Sequence, residues 1–148
     1  MSLILREYTP ADFEAVTRVW RRALEDNFPE FMRTKGHTPE EDRAYFRDVI
    51  LVRNRVWLAE LDGQVCGFMA IQGDLIDHLY IDPDFQRRGI GKALLEHARS
   101  LSPDSLFLYT FQSNARGRAF YEKNGFRAVR FGVSPPPESE PDVEYRWP

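Results

Sequence analysis

Apolar and polar positions follow two rhythms along this chain, and each marks out a kind of element. Phe13, Val16, Trp20, Ala23 and Leu24 recur at helical spacing. Thr9 as N-cap, Pro10 at the first helical position and Asp12 three residues after the cap signal where that helix begins. A second start signal, Thr38-Pro39-Glu40-Glu41, precedes a stripe of Tyr45, Val49 and Ile50. The stretch between them, Asn27-Phe28-Pro29-Glu30-Phe31, reads as a turn carrying two aromatics. Strands dominate the middle: Val56–Leu61 and Val65–Ile71 flank Asp62-Gly63, a hairpin signal, and Gly73-Asp74 turns into Leu75–Ile81. Asp82-Pro83 ends that strand, because proline offers no ladder donor.

The second half alternates helix and strand. Ile90, Leu94, Ala98 and Leu101 share one helix face, and Leu106–Phe111 is a short apolar run read as a buried strand. Asn114 suits the cap of a helix through Tyr121, Gly125 suits its C-terminal end, and Phe126–Val133 returns as a strand. Ser134–Pro141 is a proline-rich, acidic loop. Val143, Tyr145 and Trp147 then alternate with Glu144 and Arg146, which predicts a last strand with one buried face and the option of dimer contacts along a sheet edge. The order βααβββαβαββ places the chain in the mixed α/β (α+β) class.

Composition narrows the function. At 148 residues, 43% hydrophobic and 29% charged, the expectation is one domain over residues 1–148. No apolar run approaches the ~18 residues of a membrane span, and Met1–Glu7 does not read as a signal peptide. A net charge of −3 argues against a general nucleic-acid binder. The single cysteine, Cys66, forbids an internal disulfide and cannot alone anchor zinc, so no metal is expected. The expected setting is the cytoplasm.

The chemistry concentrates in Ile81-Asp82-Pro83-Asp84-Phe85-Gln86-Arg87-Arg88-Gly89-Ile90-Gly91-Lys92. A strand runs into a loop with two glycines in which a helix begins, and helix N-termini bind phosphate through unpaired N–H groups and a partial positive charge. Arg87, Arg88 and Lys92 add three cations, so the pattern points to a phosphorylated ligand. A P-loop requires different spacing and a hydroxyl where Ala93 stands, and a dinucleotide fingerprint requires a third glycine where Leu94 stands.

Gln86-Arg87-Arg88-Gly89-Ile90-Gly91 resembles the acyl-coenzyme A loop of the GNAT superfamily of N-acetyltransferases. Asn114–Phe126, with its Phe-Tyr-Glu-Lys-Asn-Gly-Phe phrase, resembles a second segment of the same family at the expected distance. The resemblance implies a mixed central sheet whose two central parallel strands splay apart. It also implies acetyl-coenzyme A as co-substrate and direct acetyl transfer to the primary amine of a small molecule or peptide. It assigns Leu79, Tyr80 and Ile81 to the pantetheine arm, Arg87, Arg88, Gly89, Ile90, Gly91 and Lys92 to the phosphates, and Asn114 to the cofactor as well as its cap. Tyr121 is the implied general acid. Asp77 matches a position that is acidic in some relatives and is the first candidate for general base. His78 has the more suitable pKa but faces the opposite side of a regular strand; Glu25, Asp26, His37 and a water remain open. A non-catalytic acyl-coenzyme A sensor is the alternative function, and the chain is expected as a monomer or homodimer.

Other residues have structural readings. Cys66 is a small core residue, His97 lies on a solvated helix face, and Trp20, Trp57 and Trp147 pack rather than form a cage. The acceptor is expected to enter over Asn27–His37 and Ser134–Pro141, with Glu30, Glu138, Glu140 and Asp142 favouring a cationic amine.

Overall fold

A computed structural model describes residues 2–148. Strand β1 (Leu3–Glu7) leads through a 3₁₀ turn into α1 (Phe13–Asn27), α2 (Pro29–Thr34) and α3 (Pro39–Tyr45); a π turn (Phe46–Ile50) and the short α4 (Leu51–Arg53) follow. Then come β2 (Arg55–Leu61), β3 (Gln64–Gln72), β4 (Leu75–Ile81), α5 (Ile90–Leu101), β5 (Leu106–Phe111), α6 (Ala115–Lys123), β6 (Arg127–Val133) and β7 (Pro141–Trp147). The seven strands form one mixed sheet in the order β1-β2-β3-β4-β5-β7-β6. All pairings are antiparallel except β4 with β5.

The sheet divides the core in two. Along β3, Val65, Phe68 and Ala70 join the cluster formed with α1 and the π turn, whereas Cys66, Met69 and Ile71 join the cluster formed with α5. From Phe68 to Ile71 period-two alternation delivers side chains to both faces of a strand covered by helices on either side; the register shift opposite Ala59 and Glu60 interrupts it before Phe68, so Val65 lies on the Phe68 side.

Three local expectations are corrected. The stretch after Asn27 is helical, because Pro29 opens α2 at a position where a missing N–H costs nothing. After α3 the buried residues are Phe46 and Ile50, not Tyr45 and Val49: Asp42, Phe46 and Ile50 lie four apart along one side, a spacing that the wider π turn over Phe46–Ile50 keeps in line. Tyr45 is left exposed. The third correction concerns β7, which is interior, bonded to β5 on one side and β6 on the other, so the edge strands are β1 and β6. Its Glu144 is accordingly buried and neutralised by Arg146 at 2.8 Å and Arg130 at 3.6 Å.

The entry to α1 is fixed by a charged knot. Arg6 donates to both carboxylate oxygens of Asp12 (2.9 and 2.8 Å) and to Glu60 (2.8 Å), while Thr9 N–H donates to Asp12 at 2.8 Å. Chiefly through the Arg6 bonds, the Asp12 carboxyl is held at about 2. Its stabilising contribution is therefore complete above the ordinary value of 3.8 and disappears as pH falls through about 2. Asp12→Asn is expected to lower the melting temperature by about 5 °C at pH 7. Thermal melts across an acid series should show the gap between variant and parent closing toward pH 2.

Candidate active site

The two parallel strands at the centre touch only where they start. Leu75 pairs with Phe107, and Phe107 N–H donates to Asp74 O at 2.9 Å. Beyond that point β4 and β5 separate, while each keeps its outer partner: β3 along β4, and β7 along all six residues of β5. Between them opens a cleft of about 820 Å³, lined by Ile76–Ile81 of β4, Leu108–Thr110 of β5, the loop at Phe85–Lys92 and the inner face of α6.

The glycine loop has two separate reasons for its glycines. Gly89 stands at the N-cap of α5 with φ +78°, a left-handed conformation that costs an L-residue about 1–2 kcal/mol. Gly91 is packed: a Cβ there would come within 3.0 Å of the Phe120 ring, so the glycine lets α5 and α6 approach. Arg87 also adopts positive φ, at 64°. Arg87, Gly89, Ile90, Gly91 and Lys92 line the cleft. Arg88 does not; its guanidinium lies 5.3 Å from the Phe85 ring, outside the cleft lining. The start of the loop is clamped to α1, where Arg22 reaches Asp82 at 3.1 Å and Asp84 at 2.9 Å.

From α6, Asn114 caps the helix by accepting from Gly117 N–H (3.1 Å) and donates to Thr110 (2.9 Å), and it also borders the cleft. Tyr121 lies further along the same wall, packed against Phe120, Phe126 and Tyr145. Burial, with a smaller contribution from Tyr80, raises its phenol well above the ordinary 10.0, so it holds its proton firmly. Burial likewise pushes the Tyr80 phenol up to about 12.

A bulge decides which side chains of β4 share a face. Ile76 pairs with Ile71 and His78 with Ala70, so Asp77 is an inserted residue with no partner on β3. As a result Ile76 and Leu79, three apart, both pack into the α5 cluster. His78 turns to the other side, its ring 5.8 Å from Trp20 and 6.0 Å from Tyr80. Asp77 lies there too, 3.6 Å from His78 Nε2 and accepting from Asn54 Nδ2 at 3.0 Å. Regular alternation would separate Asp77 from His78; the bulge places both on one side and along the cleft. Burial lowers the His78 pKa below 6.5, against a smaller upward pull from Asp77.

The remaining base candidates lie elsewhere. Glu25 pairs with Arg21 at 3.3 Å, and His37 borders a neighbouring groove of about 340 Å³ with Glu41, Tyr45 and Asp48. The two segments expected to frame the acceptor do meet: Lys35 reaches Glu140 at 2.8 Å, and Phe28 and Phe31 pack on Phe111. Glu30 is matched by Arg33 and Glu140 by Lys35, which removes both from the set of free acids. Glu138 stays close enough for its charge to raise the Tyr45 and Tyr80 phenols behind the dominant effect of burial.

Arg116 was not singled out by motif, yet it bridges the cleft mouth. It donates to Asp26 (3.0 Å) and Asn27 (2.7 Å) of α1 and to Gln86 (3.3 Å) of the loop. Its only sequence signal was its place two residues beyond the Asn114 cap. Two structural readings resolve differently. Cys66 is buried, with its thiol pushed up to about 11 mainly by burial. His97, expected on a solvated face, instead packs edge-on to Trp57 with ring centroids 4.1 Å apart, because that face of α5 turns toward β2.

Comparison with known proteins bears on this cleft. Residues 52–128 match the acetyltransferase (GNAT) domain family. The chain is similar to the peptidyl-lysine N-acetyltransferase YjaB of Escherichia coli K12, 32% identical over 133 residues that cover 87% of this chain and 85% of that protein. The solution structure of apo YjaB from Escherichia coli superposes with a TM-score of 0.84 at 26% identity, covering 99% of this chain and 98% of that one. The PaiA N-acetyltransferase of Thermoplasma acidophilum, solved in complex with coenzyme A, shares the fold with a TM-score of 0.72 at 22% identity, over 97% of this chain and 98% of that one.

The packing reason for Gly91 can be separated from any ligand reason. Gly91→Ala sets overpacking against Phe120 against the ~1 kcal/mol that alanine gains over glycine inside a helix, and a net cost of about 1 kcal/mol is expected. Adding Phe120→Leu should recover part of the lost melting temperature, which a double-mutant cycle measures.

Proposed function

The chain belongs to the GNAT family of acetyltransferases, and on that premise we propose how its residues share the transfer of an acetyl group from acetyl-coenzyme A to a primary amine. Residues 1–148 act as one acetyltransferase domain. The cleft suits a long flexible arm ending in phosphates: its deep end is walled by apolar β4 and β5 residues, and its mouth carries the α5 N-terminus with Arg87 and Lys92. Leu79, Tyr80 and Ile81 hold the arm. Arg87, Gly89, Ile90, Gly91 and Lys92 hold the phosphates, and Asn114 borders the arm while capping α6. Arg88 contributes positive charge from outside the cleft.

Acetyl-coenzyme A supplies an acyl group already activated as a thioester. The chain supplies proton management and position. Tyr121, held protonated by its burial, gives its proton to the departing sulfur. Asp77 accepts the acceptor's ammonium and takes the proton that the amine must lose before attack. His78, kept neutral by burial at pH 7, forms the wall beside it. Transfer is direct: Cys66 is fully enclosed and its thiol stays protonated, so no cysteine is placed to carry the acetyl group.

The acceptor class in this reading is the ε-amine of a peptidyl lysine. Support comes from the activity named for YjaB and from the carboxylates Asp77 and Glu138 beside Tyr45 and Tyr80, neither of them ion-paired to a lysine or arginine among the described residues. The observation carrying the whole reading is that one cleft brings Tyr121 on α6 and the bulged Asp77 on β4 together with the glycine loop.

The test is coenzyme A release from acetyl-coenzyme A against a panel of lysine peptides, polyamines, amino acids and aminoglycosides. Lysine peptides should turn over fastest. Tyr121→Phe should lower kcat about 100-fold while calorimetric acetyl-coenzyme A affinity stays within a factor of about two of the parent. Binding without release for any amine would favour the sensor alternative, and absence of binding would defeat the assignment of the cleft.

A further inference from the structure

Behind Asp77, outside the cleft lining, stands Asn54 at the end of α4. Its side-chain amide nitrogen donates twice at 3.0 Å, once to Ile50 O and once to Asp77 Oδ2. Both partners are acceptors, so only one amide orientation is compatible with them; the flipped amide would set oxygen against oxygen. The Oδ1 atom left over is buried and has no partner among the described residues. An unpaired buried acceptor costs about 1–3 kcal/mol, and a side chain serving only as a helix cap has no need to accept that cost. What the orientation achieves is a fixed donor on the inserted carboxylate of the bulge. That carboxylate needs such a tether, because a bulge residue has no ladder bonds of its own.

We propose that Asn54 is a positioning residue for acetyl acceptance: it holds the Asp77 carboxylate in its substrate-facing arrangement. The inference rests on the role given to Asp77 above. The groups bearing on Asp77 come from every surrounding element. His78 is its neighbour on β4, at 3.6 Å. Tyr45 of α3 feels both Asp77 and Arg53 of α4, and Glu138 of the β6–β7 loop acts on Tyr45 and Tyr80 together with Asp77. Among these, Asn54 alone donates a hydrogen bond to the Asp77 carboxylate within the described residues.

The experiment measures kcat and KM for a lysine peptide and for acetyl-coenzyme A in Asn54→Ala, Asp77→Asn and the double variant, with melting temperatures alongside. Asn54→Ala should lower kcat/KM for the lysine peptide about 10-fold while leaving the KM for acetyl-coenzyme A unchanged, and should cost nothing further in the Asp77→Asn background. A purely structural role would lower the melting temperature and reduce kcat/KM by the same factor in both backgrounds; that result overturns the inference. Full activity in Asp77→Asn would overturn the role of Asp77 itself, and the inference with it. Loss of activity in Asp77→Asn beside parental activity in Asn54→Ala would overturn only the positioning role.

Discussion

Backbone amides and carbonyls in the interior of a protein must find partners, and this molecule leaves some without them at the centre of its own sheet. β4 and β5 begin as a parallel pair at Leu75 and Phe107 and then part. The separation is sustainable because each strand is fully bonded along its other edge, β4 to β3 and β5 to β7. The inner edges therefore face a cleft that a ligand with its own amides can complete. Everything else follows from keeping that gap open at the right width. α5 and α6 close one side through the Gly91–Phe120 contact, Arg22 pins the loop through Asp82 and Asp84, and Arg116 spans the mouth from α6 to α1.

The two hydrophobic clusters give the two faces of the sheet different duties. On the α5 side, Leu79 and Ile81 join a continuous apolar cluster that walls the deep cleft. On the α1 and π-turn side, Trp20, His78 and Tyr80 form an aromatic floor beside two carboxylates. The bulge at Asp77 joins these territories, because one inserted residue lets a single strand present an apolar wall to one face and an acid to the other. Parity along β4 changes at that residue and nowhere else along the strand.

What could be read from the residues alone was whatever depends on short range. The Gly89 turn, the Asn114 cap, the Asp62-Gly63 hairpin and the strand-ending Asp82-Pro83 are each set by conformational preferences within a few positions, and the structure carries all four. What was not legible depends on partners distant in sequence. Asp77 becomes an insertion only because β3 pairs with Ile76 and His78 around it, which no local pattern announces. That Phe46 and not Tyr45 turns inward depends on which side of α3 meets α1 and β3, which the spacing of apolar residues alone does not decide. The interior placement of β7 and the burial of Glu144 required knowing that the last strand slips between two earlier ones. That the Arg88 guanidinium lies over the Phe85 ring and not in the cleft lining also depends on the folded loop, which the motif does not show.

That late insertion sets the order in which the molecule can be completed. A ribosome delivers β5 and β6 before β7, yet both need β7 as their neighbour. Until Pro141–Trp147 emerges, the apolar run Leu106–Phe111 has an open outer edge as well as the gap on its inner one. The second wall of the cleft thus hangs on residues translated after every one that lines it. A nascent chain halted short of β7 would hold its glycine loop, its capping asparagine and its tyrosine, and still lack the scaffold that aligns them.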